Sequence, residues 1–119
     1  MKHNTQNLKQ YIIDVPDFPK KGIGFKDITP LLESPEGTSL CLELLLSELK
    51  NKQIDKVVGI ESRGFFFGML LAQFLKVPFV PVRKPGKLPR KVITQSFDLE
   101  YGSDVLELHQ DAINPGDKV

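Results

Sequence analysis

An α/β fold is what this sequence predicts, and three adjoining runs carry the prediction. "IDKVVGI" is short and β-branched, "GFFFGMLLAQFLK" is apolar nearly all round, and "VPFVPVRK" is a second short apolar run. Strand, deeply buried crossover helix and strand fit that order, which makes a βαβ unit with a parallel pair. Such crossovers are right-handed and cover one sheet face, so the helix that precedes them is expected to cover another part of the sheet.

The elements before and after this unit follow from breakers and spacing. "YIIDVPDFPKKGIGFKDITPLL" holds Pro16, Pro19 and Pro30 with Gly22 and Gly24, too many breakers for a long regular element, so residues 11–33 read as an ordered, irregular N-terminal arm. Ser34 offers an N-cap and Pro35 suits the first helical position. Leu42, Leu45, Leu46 and Leu49 then share one face of an amphipathic helix expected to end near Lys52. After the second strand, "RKPGKLPRK" holds five cations and no acid. "VITQSFDLEYGSDVLELHQ" reads as two strands around a turn near Tyr101 and Gly102, which makes residues 91–110 a β-hairpin flap. "NPGDKV" is a turn signal followed by what reads as the first residue of a new strand.

Size and composition narrow the function. A chain of 119 residues fits one domain, 1–119, with a real core. Sixteen basic against fifteen acidic residues leave a formal charge of +1, so nothing global points to nucleic acid, a membrane surface or an acidic partner. Cys41 is the only cysteine, which excludes an internal disulfide and suits a reducing compartment, the cytosol being the simplest. It lies in the Leu-rich helix and reads as a packing residue. "MKHNTQNLKQYIIDVP" has no continuous apolar core of a signal peptide, and no run approaches the roughly 18 apolar residues that span a bilayer, so a soluble, unexported protein is expected. His3 and His109 have no ligand-like spacing, and no protein-built metal site is assigned.

Several residues could carry chemistry. In parallel α/β sheets, ligands bind beyond the carboxyl ends of strands, where loop amides and a helix N-terminus suit phosphate. "GIESRG" lies there: Arg63 offers a fork for phosphate oxygens, Ser62 a hydroxyl, and Gly64 close backbone approach, while solvated Glu61 and Arg63 with Ser62 as a helix cap is the alternative. Residues 83–91 lie beyond the next strand, so if the two strands are neighbours their cations converge on the same pocket; otherwise they form a solvated basic loop. Glu100, beside Tyr101 at the flap tip, could transfer a proton, although an isolated Glu at a turn is more often solvated surface. Phe25, between Gly24 and Lys26, could stack on a flat ring whose edge the neighbouring backbone reads, or could anchor the arm to the core.

In this order, "DFPKKGIGFKDITPLL", "VVGIESRGFFFG", "RKPGKLPRK" and "SFDLEYGSDVLELHQDAINPGDKV" resemble the adenine phosphoribosyltransferase family over residues 11–119. The resemblance implies a type I phosphoribosyltransferase-like parallel sheet flanked by helices. It also implies purine salvage, in which adenine and 5-phosphoribosyl-1-pyrophosphate (PRPP) give AMP and pyrophosphate, with Mg²⁺, in a cytosolic homodimer. Carried over residue by residue, Phe25 packs on adenine and the backbone at Gly24 and Lys26 reads its edge. Glu61, Ser62 and Arg63 form the pyrophosphate loop, with a cis peptide between Glu61 and Ser62. Arg83, Lys84 and Lys87 are cations near the pyrophosphate, some acting across the dimer. Glu100 is the flap carboxylate that manages the purine proton, with Tyr101 beside it. The family continues after "PGDKV" with a further strand, paired acids and a Thr/Gly-rich loop for the ribose and 5-phosphate. On that reading the C-terminal part of the sheet is missing, and the 119-residue chain is expected to be inactive alone and poorly stable. Three alternatives stay open: the same chemistry on another purine or xanthine, a non-catalytic nucleotide-binding or dimerising fragment, and a nucleic-acid binder using residues 83–91. The last is disfavoured by the near-neutral charge and by the lack of aromatics among the cations.

Overall fold

Pro16, Pro19, Gly22 and Gly24 leave room only for short elements near the start of the chain. The computed structural model describes residues 6–99 and 102–119. The chain divides into two units, Met1–Lys50 and Asn51–Val119.

In the first unit, helix α1 (Gln6–Lys9) precedes strands β1 (Ile13–Val15) and β2 (Phe25–Asp27), which pair antiparallel with Asp14 opposite Lys26 and Val15 opposite Phe25. The arm is thus ordered by a three-residue ladder, shorter than any hydrophobic alternation could reveal. Its loop closes when Phe18 N–H donates to Ile23 C=O at 2.9 Å and Gly22, at φ +87°, donates to Asp17 Oδ1 at 2.8 Å. Asp27 Oδ1 accepts from the N–H and hydroxyl of Thr29 at 2.8 and 2.7 Å, which starts the single turn α2 (Thr29–Leu32). Leu31 is buried there, its methyl against Gly37.

Helix α3 (Pro35–Glu48) begins as its sequence predicts, with Ser34 Oγ accepting the Gly37 N–H at 2.9 Å and Pro35 in the first turn. It ends earlier than Lys52: Leu49 N–H turns back to Leu46 C=O, and Asn51 takes a left-handed conformation at φ +65°.

The second unit contains the βαβ motif. Strands β3 (Val57–Ile60) and β4 (Phe79–Val82) pair in parallel, Val57 opposite Phe79, on either side of helix α4 (Arg63–Leu75). Val57, Ala72, Val80 and Val82 are buried, and Phe79 shares with its partner Val57 the sheet face that α4 covers. Helix α4 ends where Lys76 turns left-handed and Val77 N–H closes on Ala72 C=O, with Pro78 next. The helix is not buried all round, as its composition predicts. Its inner face is small, Gly68 and Ala72, whereas Phe66, Met69, Leu70 and Phe74 are 46%, 52%, 45% and 60% exposed.

Strands β5 (Val92–Leu99) and β6 (Gly102–His109) form a full antiparallel hairpin from Val92–His109 to Leu99–Gly102. A two-way backbone bridge between Arg83 and Glu107, at 2.9 and 2.8 Å, joins β6 to the residue that follows β4. The chain then turns at residues 114–117, with Gly116 at φ +88°, and Asp55 N–H donates to Lys118 C=O. Lys56 Nζ meets Asp117 Oδ2 at 2.8 Å and Ala112 C=O at 2.8 Å. No helix among the described residues is long and apolar enough to cross a membrane.

The ring of Phe79 occupies the space left by two glycines. A Cβ at Gly68 would come within 2.5 Å of the ring, and one at Gly59 within 2.7 Å of it and 2.6 Å of the Gly64 carbonyl oxygen. Gly59→Ala is expected to destabilise the chain by about 1–3 kcal/mol, an overpacking cost that backbone on one side and an aromatic on the other leave no way to relieve. Urea denaturation of the two proteins measures it.

Candidate functional site

Parallel pairing sets the ends of β3 and β4 side by side, because Glu61 N–H donates to Val82 C=O at 2.9 Å just beyond the last strand pair. The loops that leave these two ends are the predicted pyrophosphate loop and the basic run. They meet through Glu61: its Oε1 accepts the Lys84 N–H at 2.8 Å and Arg83 Nε at 3.1 Å. Glu61 is therefore turned toward the cations of the second loop, not toward open space, since the nearest donors to an acid at this strand end belong to that loop. The Lys84 N–H does most to hold the Glu61 carboxyl below its ordinary value; the Arg83 hydrogen bond and the charges of Arg83 and Lys87 help, against partial burial. The Arg83 guanidinium also stands 5.9 Å from the Phe65 ring centroid, so an acid and an aromatic fix it from two sides.

Beside this contact, Ser62 is the N-cap of α4 and makes no side-chain capping bond, and the peptide between Glu61 and Ser62 is cis. Arg63 opens the helix, exposed, in a first turn that holds no acid. A cation at the positive end of a helix dipole raises the local potential, which an anion there would relieve.

The basic loop is held at both ends by β6. Glu107 bridges Arg83 and also accepts the Gly86 N–H at 3.1 Å, while Arg90 pairs with Asp111 at 3.0 Å and its N–H meets His109 Nε2 at 3.3 Å. Arg90 holds Asp111 below the ordinary carboxylate range, chiefly by its hydrogen bond. Lys84, Lys87 and Lys91 are exposed. Gly86, at φ +81° after Pro85, makes the turn that separates Lys84 from Lys87.

In the N-terminal unit, Gly24, Phe25 and Lys26 line a cleft of about 470 Å³ with Asp14, Val15 and Pro16. Phe25 is half-buried and meets Phe18 edge to face at 5.0 Å, so it anchors the arm and borders the cleft at once. Lys26 pairs with Asp14 across the β1–β2 ladder, an exposed contact of small energetic weight.

The structure thus brings Glu61, Arg83 and Lys84 together, sets Lys87 within reach of Glu61's field, and places Gly24, Phe25 and Lys26 on one cleft. Glu100 and Tyr101 lie outside the described residues. Glu107 was not singled out from sequence. In the chain it is one acid in an alternating strand, and only the register that sets it opposite Thr94 gives it meaning.

No family model matches the chain. It is 61% identical over 112 residues to adenine phosphoribosyltransferase of Flavobacterium johnsoniae, which covers 94% of this chain and 66% of the relative. Among solved structures, adenine phosphoribosyltransferase of Thermoanaerobacter pseudethanolicus superposes with a TM-score of 0.91 at 46% identity, covering 96% of this chain and 66% of that one. The Saccharomyces cerevisiae enzyme, complexed with D-2,5-dideoxy-2,5-imino-altritol 1,6-bisphosphate and adenine, superposes at 0.87 and 40% identity, covering 94% and 66%. The chain spans 66% of the length of the curated relative.

The Glu61 contact predicts an acid limb of stability. A carboxyl whose folded pKa is depressed adds stability that is fully present above its unfolded value, about 4.3 for Glu, and is lost as pH falls through the lower folded value. Glu61→Gln should therefore be less stable than the parent at pH 7, with the difference closing below about pH 4. Denaturant melts across that range check it.

Proposed function

Because this chain belongs to the adenine phosphoribosyltransferase family, we propose that it supplies the base-binding and pyrophosphate-binding parts of a purine-salvage enzyme converting adenine and PRPP to AMP and pyrophosphate. One observation carries the reading for this chain's own residues. Glu61 ties the loop after β3 to the loop after β4, so the cations of both face the same end of the parallel pair.

In the reaction, the bond from the ribose anomeric carbon to pyrophosphate breaks as adenine attacks that carbon, through an oxocarbenium-like state. Arg63, Arg83, Lys84 and Lys87 stabilise the charge that develops on the departing pyrophosphate, and Ser62 adds a hydrogen bond. Glu61 takes no part in binding the anion directly; it orients Arg83 and the Lys84 backbone before the anion arrives, so less order is lost on binding. Phe25 packs on adenine, and the backbone at Gly24 and Lys26 reads its edge. Glu100, followed in the sequence by Tyr101, receives the purine proton, and the hairpin excludes water from the reacting carbon. Mg²⁺ belongs to this reading as the counter-ion that PRPP brings on its own phosphate oxygens. The nearest strand-end carboxylate, Glu61, is engaged by Arg83 and Lys84, which suits an ion carried by substrate.

The reading includes a cytoplasmic homodimer, and the exposed apolar side of α4 is the kind of surface an oligomer covers. The chain alone is proposed to bind ligands without turning them over, with turnover restored when it is extended by the corresponding C-terminal third of a relative. AMP formation from adenine, PRPP and Mg²⁺ by the two chains tests this. Absence of AMP from the folded, extended chain would overturn it. Hypoxanthine, guanine and xanthine run beside adenine decide the base.

Two substitutions test the two proposed ligand-binding parts separately. Arg83→Ala is expected to weaken pyrophosphate binding by roughly tenfold or more, the range for a charge-assisted hydrogen bond worth about 1.5–3 kcal/mol, and to leave adenine binding unchanged. Phe25→Ala is expected to weaken adenine binding by about three- to tenfold, in line with an aromatic pair worth about 0.5–1.5 kcal/mol, and to spare pyrophosphate. Isothermal titration with each ligand reads both.

A further inference from the structure

Glu107 holds three segments at once. Its backbone pairs both ways with Arg83, its Oε1 accepts the Gly86 N–H at 3.1 Å, and its Oε2 accepts the Thr94 hydroxyl at 2.9 Å. Thr94 is its cross-strand partner on β5, so one half-buried side chain ties the tip of the basic turn to both strands of the hairpin. The partners of that carboxylate are an amide and a hydroxyl. In a loop so rich in cations, neutralising charge would be the ordinary use of an acid, yet Arg83 is engaged by Glu61 and Arg90 by Asp111. Glu107 spends its two oxygens on geometry.

What it fixes is the turn formed by residues 84–87. Pro85 and the left-handed Gly86 set the bend, and the Gly86 N–H bond sets where the bend lies relative to the hairpin. Lys84 and Lys87 flank this turn and are exposed. Without the bond, the turn would be held at Arg83 and again near Arg90, with the intervening cations free to move as a loop. We propose that Glu107 is a positioning residue, which fastens the turn of Lys84 and Lys87 to the hairpin and so presents those cations to an anion in one place. The inference rests on the reading of this loop as a pyrophosphate site.

The test compares the chain with Glu107→Ala, Glu107→Gln and Thr94→Val, by amide hydrogen exchange at Gly86 and by calorimetric titration with inorganic pyrophosphate. Glu107→Ala should speed Gly86 exchange by about tenfold or more and weaken pyrophosphate by about three- to tenfold, as loss of one charge-assisted bond in a flexible loop implies. The sign is informative, because removing a negative charge near the site would by itself tighten an anion. Glu107→Gln can accept the Gly86 N–H and donate to the Thr94 oxygen, so it should restore slow exchange and bind pyrophosphate at least as well as the parent. Thr94→Val should speed Gly86 exchange by a smaller factor. Unchanged Gly86 exchange in Glu107→Ala, or equal or tighter pyrophosphate binding, overturns the proposal. If exchange at Val58 and Val80 shows Glu107→Ala to be unfolded, Thr94→Val decides: faster Gly86 exchange supports the tie and unchanged exchange overturns it. A parent that binds no pyrophosphate sinks the functional reading, while the Gly86 exchange still decides what Glu107 does to the turn.

Discussion

The close approach of α4 to the β3–β4 pair sets the terms for the rest of the second unit. Two glycines, Gly59 on the strand and Gly68 on the helix, leave a space that the Phe79 ring fills, and Phe65 meets that ring edge-on at 5.8 Å. A side chain at either glycine would hold helix and strand apart. With no side chain at either, the helix starts at Arg63, three residues beyond Ile60, and its N-terminus stands at the strand's carboxyl end.

Electrostatics follow from that packing. Because the parallel register brings Glu61 beside Val82, the residue after β4 is a neighbour of the residue after β3, and Arg83 can reach Glu61 through Nε while its ring-facing side rests near Phe65. Glu61 then links the loops that leave the two strand ends. Its negative charge offsets repulsion among the neighbouring cations, Arg83 and Lys87. The same logic recurs at the far end of the unit, where Asp117 is held below the usual carboxylate range, first by its bond to Lys56 and then by the Asn114 N–H.

Much of this was legible in the chain. The β-branched run before Glu61, the apolar helix and the second strand identify themselves by composition and length. Ser34 and Pro35 announce a helix start because both act on backbone groups within one turn. Four motif blocks in one order carried the family. What stayed hidden depends on contacts across the chain. The ladder of β1 and β2 is three residues long and is fixed by pairing, not by pattern. Glu61 and Arg83 are both visible as candidates, but their 22-residue separation conceals that one is the other's partner. Composition also overstated the burial of α4, since an apolar residue is legible in sequence and its cover is not.

The hairpin joins the parallel pair through the two backbone bonds of Arg83 and Glu107. Geometrically this is a pivot with a long arm. Glu107 lies five steps along the strand from Gly102, about 17 Å, so a rotation of about 10° at the pivot would carry that end through about 3 Å. A displacement too small to break either bond at the base would thus be amplified to atomic dimensions at Gly102.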